Sequence, residues 1–192
     1  MLKFKEQLEE KWGPFEKDEF FWKQRNIASV SPRTYLNVLF NPVNIKLYKI
    51  FEKDFNCKFP RELKKFYKRY NGIMLFCQSF RIFGFNINVD TSYKTLHFSF
   101  ENARLNFQKK CPKYSDMISF GYYAEYNFCF DRKDNKKIYV ISRNTFEHVH
   151  TFNSLQELFD YYLPPLIKEY NDEGEKIHPT SETLRNLSTE FI

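Results

Sequence analysis

The sequence predicts an α+β fold: a single domain with an antiparallel sheet flanked by helices, and a mostly helical extension before it. Three observations carry that prediction. Leu63, Phe66, Tyr67 and Tyr70 recur at i, i+3, i+4 and i+7 behind Pro60, which marks an amphipathic helix with a proline-compatible start. From Ile118 to Phe152, apolar and polar residues alternate in short runs separated by turn residues, as in an antiparallel meander. Ser154-Leu155-Gln156-Glu157 then reads as a capping box that opens another helix.

Residues 1–40 read as the extension. Leu2, Phe4 and Leu8 precede a break at Trp12-Gly13-Pro14, and Ser29 to Pro32 reads as a loop. Phe15, Phe20, Phe21 and Trp22 are costly to expose, so the segment is expected to pack on the main body. Asn41-Pro42 is a good cap and first residue for a helix whose stripe is Val43, Leu47, Ile50 and Phe51, ending near Cys57. The helix behind Pro60 closes at Asn71-Gly72, a pair suited to the left-handed conformation.

Strands follow. Phe80 and Ile82 alternate with polar residues, then Phe83, Phe85, Ile87 and Val89 alternate in the opposite phase, which predicts a bulge or turn at 82–83. Leu96, Phe98 and Phe100 suggest a short strand and 101–110 a helix. Ile118, Phe120 and Tyr122 share one face; Tyr126, Phe128 and Phe130 share another. Asp131 to Lys136 supplies a hairpin turn, and Ile138-Tyr139-Val140-Ile141 is apolar on both faces, as in a central strand. Leu155, Leu158, Phe159, Tyr162 and Leu163 form the last helical stripe, which Pro164-Pro165 is expected to interrupt. The body thus spans 41–170, and 171–192 reads as a polar, flexible tail.

Composition narrows the function classes. No run of about 18 apolar residues could cross a bilayer. The charged start Lys3-Phe4-Lys5-Glu6 lacks a secretion signal's apolar core, so cytoplasmic residence is expected. Cys57, Cys77, Cys111 and Cys129 are widely spaced with no C-x-x-C pair, which reads as free thiols, mostly buried. The net charge of +6 would attract polyanions, but the cations are scattered and no nucleic-acid-binding motif accompanies them. A basic nucleic-acid-binding module is therefore the lesser alternative. The 23 Phe and 13 Tyr sit mostly at core-periodic positions, which favours a packed core over base-stacking platforms.

Catalysis finds little support in the residues. His148 and His150 have i, i+2 spacing, and in a regular strand both would point to one side, but no acidic residue or cysteine follows to complete a metal site. Asp131 and Asp134 suit turn-making better than acid–base work. With glycines only at 13, 72, 84, 121 and 174, no phosphate-binding loop can form, and no G-x-S-x-G elbow occurs. No catalytic residue, cofactor or metal ligand is assigned. Binding finds more. Tyr122, Tyr123, Glu125 and Tyr126 cluster where two strands join, and tyrosine combines a broad ring with a hydrogen-bonding tip. Tyr122 and Tyr126 fit core and interface equally, whereas Tyr123 and Glu125 are expected to be exposed. Arg132 and Lys133, at the next turn, add charge for an acidic partner surface.

The motif order resembles the SUKH superfamily. Phe59-Pro60-x-x-Leu63-x-x-Phe66-Tyr67-x-x-Tyr70-Asn71-Gly72 is similar to that family's P-x-x-L segment ending in Asn-Gly. Gly84, Ile118-Ser119-Phe120-Gly121, Phe128-Cys129-Phe130-Asp131 and Thr151-Phe152-Asn153-Ser154-Leu155 look like its later markers, so the resemblance covers about 42–163. It implies a single-domain α+β protein that works by binding other proteins. Bacterial relatives look like immunity proteins, antitoxins that neutralise a cognate polymorphic toxin. The fungal branch, a cell-wall-synthesis regulator, suggests the alternative of a non-catalytic regulatory scaffold. The resemblance implies a cognate toxin protein as partner and carries over no catalytic residue. A charge of +6 argues against whole-surface mimicry of nucleic acid, so either the contact patch is locally acidic or the target is not a basic nuclease.

Overall fold

Among the described residues, nine antiparallel strands lie side by side in the order in which the chain makes them, as a meander. The computed structural model describes residues 3–27, 29–30, 34–42, 49–50, 52–53, 56–85, 112–134 and 136–177. The elements are α1 (Phe4–Trp12), β1 (Glu16–Lys17), β2 (Phe21–Asn26), β3 (Tyr35–Phe40), α2 (Arg61–Tyr67), β4 (Ile73–Leu75), β5 (Phe80–Ile82), β6 (Met117–Tyr123), β7 (Tyr126–Asp131), β8 (Ile138–Ser142), β9 (His148–Phe152) and α3 (Leu155–Lys168). A 3₁₀ turn at Pro112–Tyr114 precedes β6. The α+β reading therefore holds.

The N-terminal extension is not mostly helical. It holds one short helix, and its remainder forms three strands that hydrogen-bond into the sheet through the β3–β4 pairing of Val38 with Met74 and Leu39 with Ile73. The physical reason lies in Leu36-Asn37-Val38-Leu39-Phe40. That run is buried at every position, so it fits a two-sided interior strand and has no polar face for a surface helix.

One cross-strand row shows how the core is laid down. Leu39, Ile73, Ile82, Gly121, Phe128 and Val140 face each other in register across six strands. Helices α1, α2 and α3 pack on this inner face. Phe4 and Leu8 of α1, Leu63, Phe66 and Tyr67 of α2, and Leu155, Phe159 and Leu163 of α3 are buried in one cluster with the row. Phe4 stacks on Phe159 at 4.7 Å between ring centroids. The outer face carries two smaller clusters, one built on Phe21, Val38, Phe40 and Met74 and the other on Cys129 and Ile141.

Buried polar side chains serve the backbone. Gln24 donates to the carbonyls of Leu8 and Gly13, while Asn37 donates to Gln24 Oε1 (2.8 Å) and accepts from Phe76 N (3.1 Å). That relay ties α1, β2, β3 and the β4–β5 turn together, since an unmet buried amide would cost roughly 1–3 kcal/mol.

Helix α2 starts one residue after Pro60 and ends at Tyr67, before Asn71-Gly72. Gly72 is left-handed as expected, with φ +92°, but it makes the link into β4 and does not cap the helix. A side chain there would strike the backbone at Ile82 O and Gly84 N, 2.7 and 2.8 Å away. Helix α3 has its cap as read, Ser154 Oγ accepting from Glu157 N at 3.0 Å. The helix runs on through Pro164 and Pro165 to Lys168, contrary to the expected interruption. A helical proline costs about 3 kcal/mol. Six buried apolar side chains on α3, each stabilising by roughly 2 kcal/mol, outweigh it. Both prolines, with Asp160 and Tyr161 one turn earlier, face solvent, where water replaces the lost hydrogen bonds.

The tail is docked as far as Ile177. Trp12 Nε1 donates to Asn171 O (2.8 Å), Arg25 Nη2 to Asp172 O (2.7 Å), and Gly174 sits against Ile27 and Leu36. Residues 178–192 lie outside the described residues, as do most of the helix read at 43–51, the strands read at 87–89 and 96–100, and the helix read at 101–110. Lys49-Ile50 and Glu52-Lys53 are helical. Strand β5 ends at Ile82, where a change of phase was read, and Phe83 N still donates to Phe120 O at 2.9 Å. No helix among the described residues is long and apolar enough to cross a membrane.

Candidate interaction surface

Strands β6 and β7 are joined by two residues, Ala124 and Glu125, with Ala124 left-handed at φ +47°. Strand alternation at this tip sends the tyrosines to different faces. Tyr122 pairs with Arg81 and Asn127 on the outer face, while Tyr123 pairs with Phe80 and Tyr126 on the inner face. The tyrosines therefore do not form one patch.

Tyr122 is the centre of the outer part. Its ring lies between two guanidinium groups, with Arg143 Cζ at 5.3 Å and Arg81 Cζ at 5.8 Å from the centroid, and Phe83 packs at 5.7 Å. Arg143 is exposed and also caps the turn, Nη1 donating to Ala124 O at 3.4 Å and its backbone N donating to Glu125 O. Arg81 is only 8% exposed; it donates to Gln78 Oε1, and burial pulls its guanidinium pKa down. Of the two cations at the ring only Arg143 is presented to solvent, while Arg81 supports Tyr122 from the buried side of the strand pair.

Tyr123 is half-buried and not the exposed residue expected. Its ring packs on Tyr162 at 5.2 Å and Phe80 at 6.5 Å, and desolvation, then the nearby Glu169 carboxylate, push its phenol pKa up. Glu125 is exposed, as expected, and its hydrogen bond raises the Tyr126 phenol. Glu125, Tyr126 and the guanidinium of Arg143 thus share the tip.

Arg132 and Lys133 lie elsewhere. They follow Asp131 at the far end of β7, about 17 Å from the tip by the rise of an extended strand. There they hold Asp116: Lys133 Nζ is 2.7 Å from Oδ2 and Arg132 Nη2 3.3 Å from Oδ1. Asp131 Oδ1 accepts from Lys133 N (2.7 Å) and Asp134 N (3.3 Å), so both aspartates organise the turn. Arg132 and Lys133 thus stand at the next turn, as the sequence reading had them, while the cations beside Tyr122 are Arg81 and Arg143, which it did not single out. Only strand register brings Arg81 beside Tyr122, which follows it in β6 after the long connection between Ile82 and Met117.

His148 and His150 point to opposite faces, which overturns the same-side expectation. A bulge at β9 makes Ile141 face His148 and Val140 face His150, so Val149 is the extra residue. His148 bonds Thr151 Oγ1 (2.8 Å) and packs on Tyr139 outside; His150 stacks on Tyr161 inside, 5.5 Å apart at 19°. Cys57 and Cys129 are buried free thiols, Cys77 is half-buried, and Cys111 lies outside the described residues. Among the described residues no three His, Cys, Asp or Glu side chains converge as metal ligands. A cleft of about 200 Å³ opens between Arg61, Lys136, Lys137 and Ser154, but Glu62 within it already accepts the Leu155 N–H of α3 at 2.6 Å.

A family model described as SMI1 / KNR4 family (SUKH-1) matches residues 42–161. No curated protein matches the chain. The matched span begins after β3, so α1 and the first three strands lie outside it while completing the same sheet and core.

Proposed function

The chain belongs to the SMI1 / KNR4 family (SUKH-1), and on that premise we propose that it is an immunity protein that binds and neutralises a cognate toxin protein, without catalysis, through a protein–protein interface. The observation that carries this reading is the β6–β7 tip: the Tyr122 ring beside the exposed Arg143 guanidinium on the outer face, with the exposed Glu125 in the turn. Arginine and tyrosine are the residue types that dominate interface energetics, because each desolvates a large planar group while keeping directed hydrogen bonds.

The charge of the tip also bears on the partner. The exposed Arg143 guanidinium at Tyr122 suits a carboxylate-bearing surface, which agrees with a net charge of +6 and does not need the partner to be a basic nuclease. Co-expression with the product of the adjacent gene, followed by co-purification and a growth-protection assay, tests the reading. Stable capture and protection are expected. A chain that neither binds nor protects against any neighbouring gene product sinks it, and affinity for RNA or DNA that falls steeply with salt would mark a nucleic-acid binder instead.

A further inference from the structure

Three turns meet at one end of the sheet: 76–79 between β4 and β5, 124–125 between β6 and β7, and 143–147 between β8 and β9. They are bonded to one another, Ala124 N donating to Ser79 O at 3.4 Å and Arg143 N to Glu125 O at 2.6 Å. Phe76, Cys77 and Gln78 are left-handed in succession, at φ +55°, +50° and +77°, and Ala124 and Phe146 are left-handed in the other two turns. Such backbone is uncommon for residues that carry a side chain, and it gathers where a fold holds groups in place for binding.

The groups held here are cations. Arg81 is only 8% exposed, yet among the described residues no carboxylate pairs with it or with Arg143. Arg81 Nε has no hydrogen-bond partner, and Nη2 donates to the Gln78 side chain that the left-handed turn presents. Burial lowers its pKa, and the Tyr122 phenol, not an acid, opposes that shift. Taking a guanidinium out of water with no counter-charge is costly, and removing it is often neutral or stabilising. The acids of the three turns are Glu125 and Glu147. Glu125 is hydrogen-bonded to Tyr126, and Glu147 stands opposite Ser142, so strand alternation sets both toward the inner side. The outer row Met74, Arg81, Tyr122, Asn127, Ile141 and His148 contains no acid.

We propose that the outer side of this end binds a carboxylate, an aspartate or glutamate side chain of a partner protein, with Arg143 as its direct ligand and Arg81 as the charge behind the Tyr122 ring. The proposal rests on the tip being a protein-binding surface, and it names the group that surface recognises. Arg143 donates to the carboxylate beside the ring. Arg81 is a positioning residue: it fixes Tyr122 from the buried side and adds its field, which strengthens as the partner excludes water. In the free chain its charge is a cost to stability, and in the complex the partner's carboxylate compensates it.

Titration of the isotope-labelled full chain with a tetra-aspartate peptide at low salt, followed by NMR, tests this, with thermal melts of each variant. Shifts are expected to centre on Tyr122, Ala124 and Arg143 and to fade as salt is added. Arg143→Ala is expected to weaken peptide binding about ten-fold, and Arg81→Met about five-fold. Arg81→Lys, which keeps the charge, should bind nearly as wild type, as should Lys133→Ala at the far end of β7. Arg81→Met should also melt at or above the wild-type temperature. Shifts elsewhere or none at all overturn the proposal. So does an Arg81→Met variant that binds as wild type or melts well below it, or an Arg81→Lys variant as weak as Arg81→Met. Peptide binding at the tip without capture of any neighbouring gene product supports this site and sinks the immunity reading. Toxin capture that survives both Arg143→Ala and Arg81→Met overturns the site and leaves the immunity reading intact.

Discussion

Asn71 and Phe85 pair as two strand residues would, although one of them uses its side chain. Phe85 N donates to Asn71 Oδ1 at 2.7 Å, and Asn71 Nδ2 donates to Phe85 O at 3.1 Å, both in the buried interior. The backbone of the same asparagine serves β3, with Asn71 N donating to Phe40 O at 3.0 Å. One residue therefore ties the exit of α2 to two distant segments. Asn71→Ala leaves both polar groups of Phe85 without these partners and is expected to destabilise by about 3 kcal/mol, read as a lower denaturant midpoint at unchanged slope.

Gly121 sits in the inner cross-strand row with an ordinary φ, so its requirement is space and not conformation. A Cβ there would meet Arg81 O and press on the Phe128 ring at 3.2 Å. Gly121→Ala is expected to lose about 2 kcal/mol and to loosen the β5–β6 pairing, seen as faster amide exchange at Phe80 and Ile82. Equal exchange in wild type and variant would show that the two strands can part without cost.

The seven docked residues after Tyr170 predict a cost of truncation. Ending the chain at Ile177 preserves the bonds from Trp12 and Arg25 and serves as the reference. Ending it at Tyr170 strips the Asn171 and Asp172 carbonyls from their donors and uncovers Ile27 and Leu36, so a drop of several degrees is expected.

Asp116 predicts a pH dependence. The hydrogen bond from Lys133, reinforced by the charges of Lys133 and Arg132 against some desolvation, holds its carboxyl below the ordinary aspartate range. Its folded value is thus lower than its unfolded one, so the contribution to stability is present above the unfolded value and disappears as pH falls through the folded one. Lys133 is shifted up, chiefly by its hydrogen bond to Asp116, so its contribution disappears as pH rises through its folded value. Lys133→Ala is expected to return Asp116 toward the usual range in an NMR titration. The stability difference from wild type should be largest between the two titrations and vanish at both extremes.

At the β6–β7 tip, Arg143→Ala removes the exposed cation over Tyr122, and Glu125→Lys reverses the charge beside it. Both leave the inner core untouched. If the tip grips the toxin, Arg143→Ala is expected to weaken the complex about ten-fold or more while the melting temperature changes little. Wild-type affinity in both variants would move the interface off this tip.

Much of this architecture was legible because it is written locally. The stripe Leu63-Phe66-Tyr67, the alternation through β7 and β8, the Asp131–Asp134 turn and the Ser154 cap each depend on residues a few positions apart. In β6, by contrast, a register shift between Ser119 and Gly121 turns Tyr122 to the face opposite Ile118 and Phe120, with which it was expected to lie. The candidate site was less legible. Glu125 was placed correctly at an exposed tip and Arg132 and Lys133 at the next turn, but Tyr123 turned inward to Tyr162, and the pairing of both cations with Asp116 was not legible. A two-residue turn fixes which neighbours alternate, and the sequence alone does not say which side of the sheet the helices will cover.

The amino-acid sequence by itself determined which segments are helix, strand or turn wherever short-range periodicity and capping are strong, because those patterns arise from backbone geometry within one turn or one pleat. Tertiary structure alone decided what depends on distant partners. It drew Leu36 to Phe40 into the sheet beside β4, and carried α3 through two prolines on the strength of six buried side chains. It also docked Asn171 on Trp12, turned His148 away from His150 with one bulged residue, and set Arg81 against Tyr122. In each case a long-range burial or hydrogen-bond gain exceeded a local preference, and no window of neighbouring residues contains that comparison.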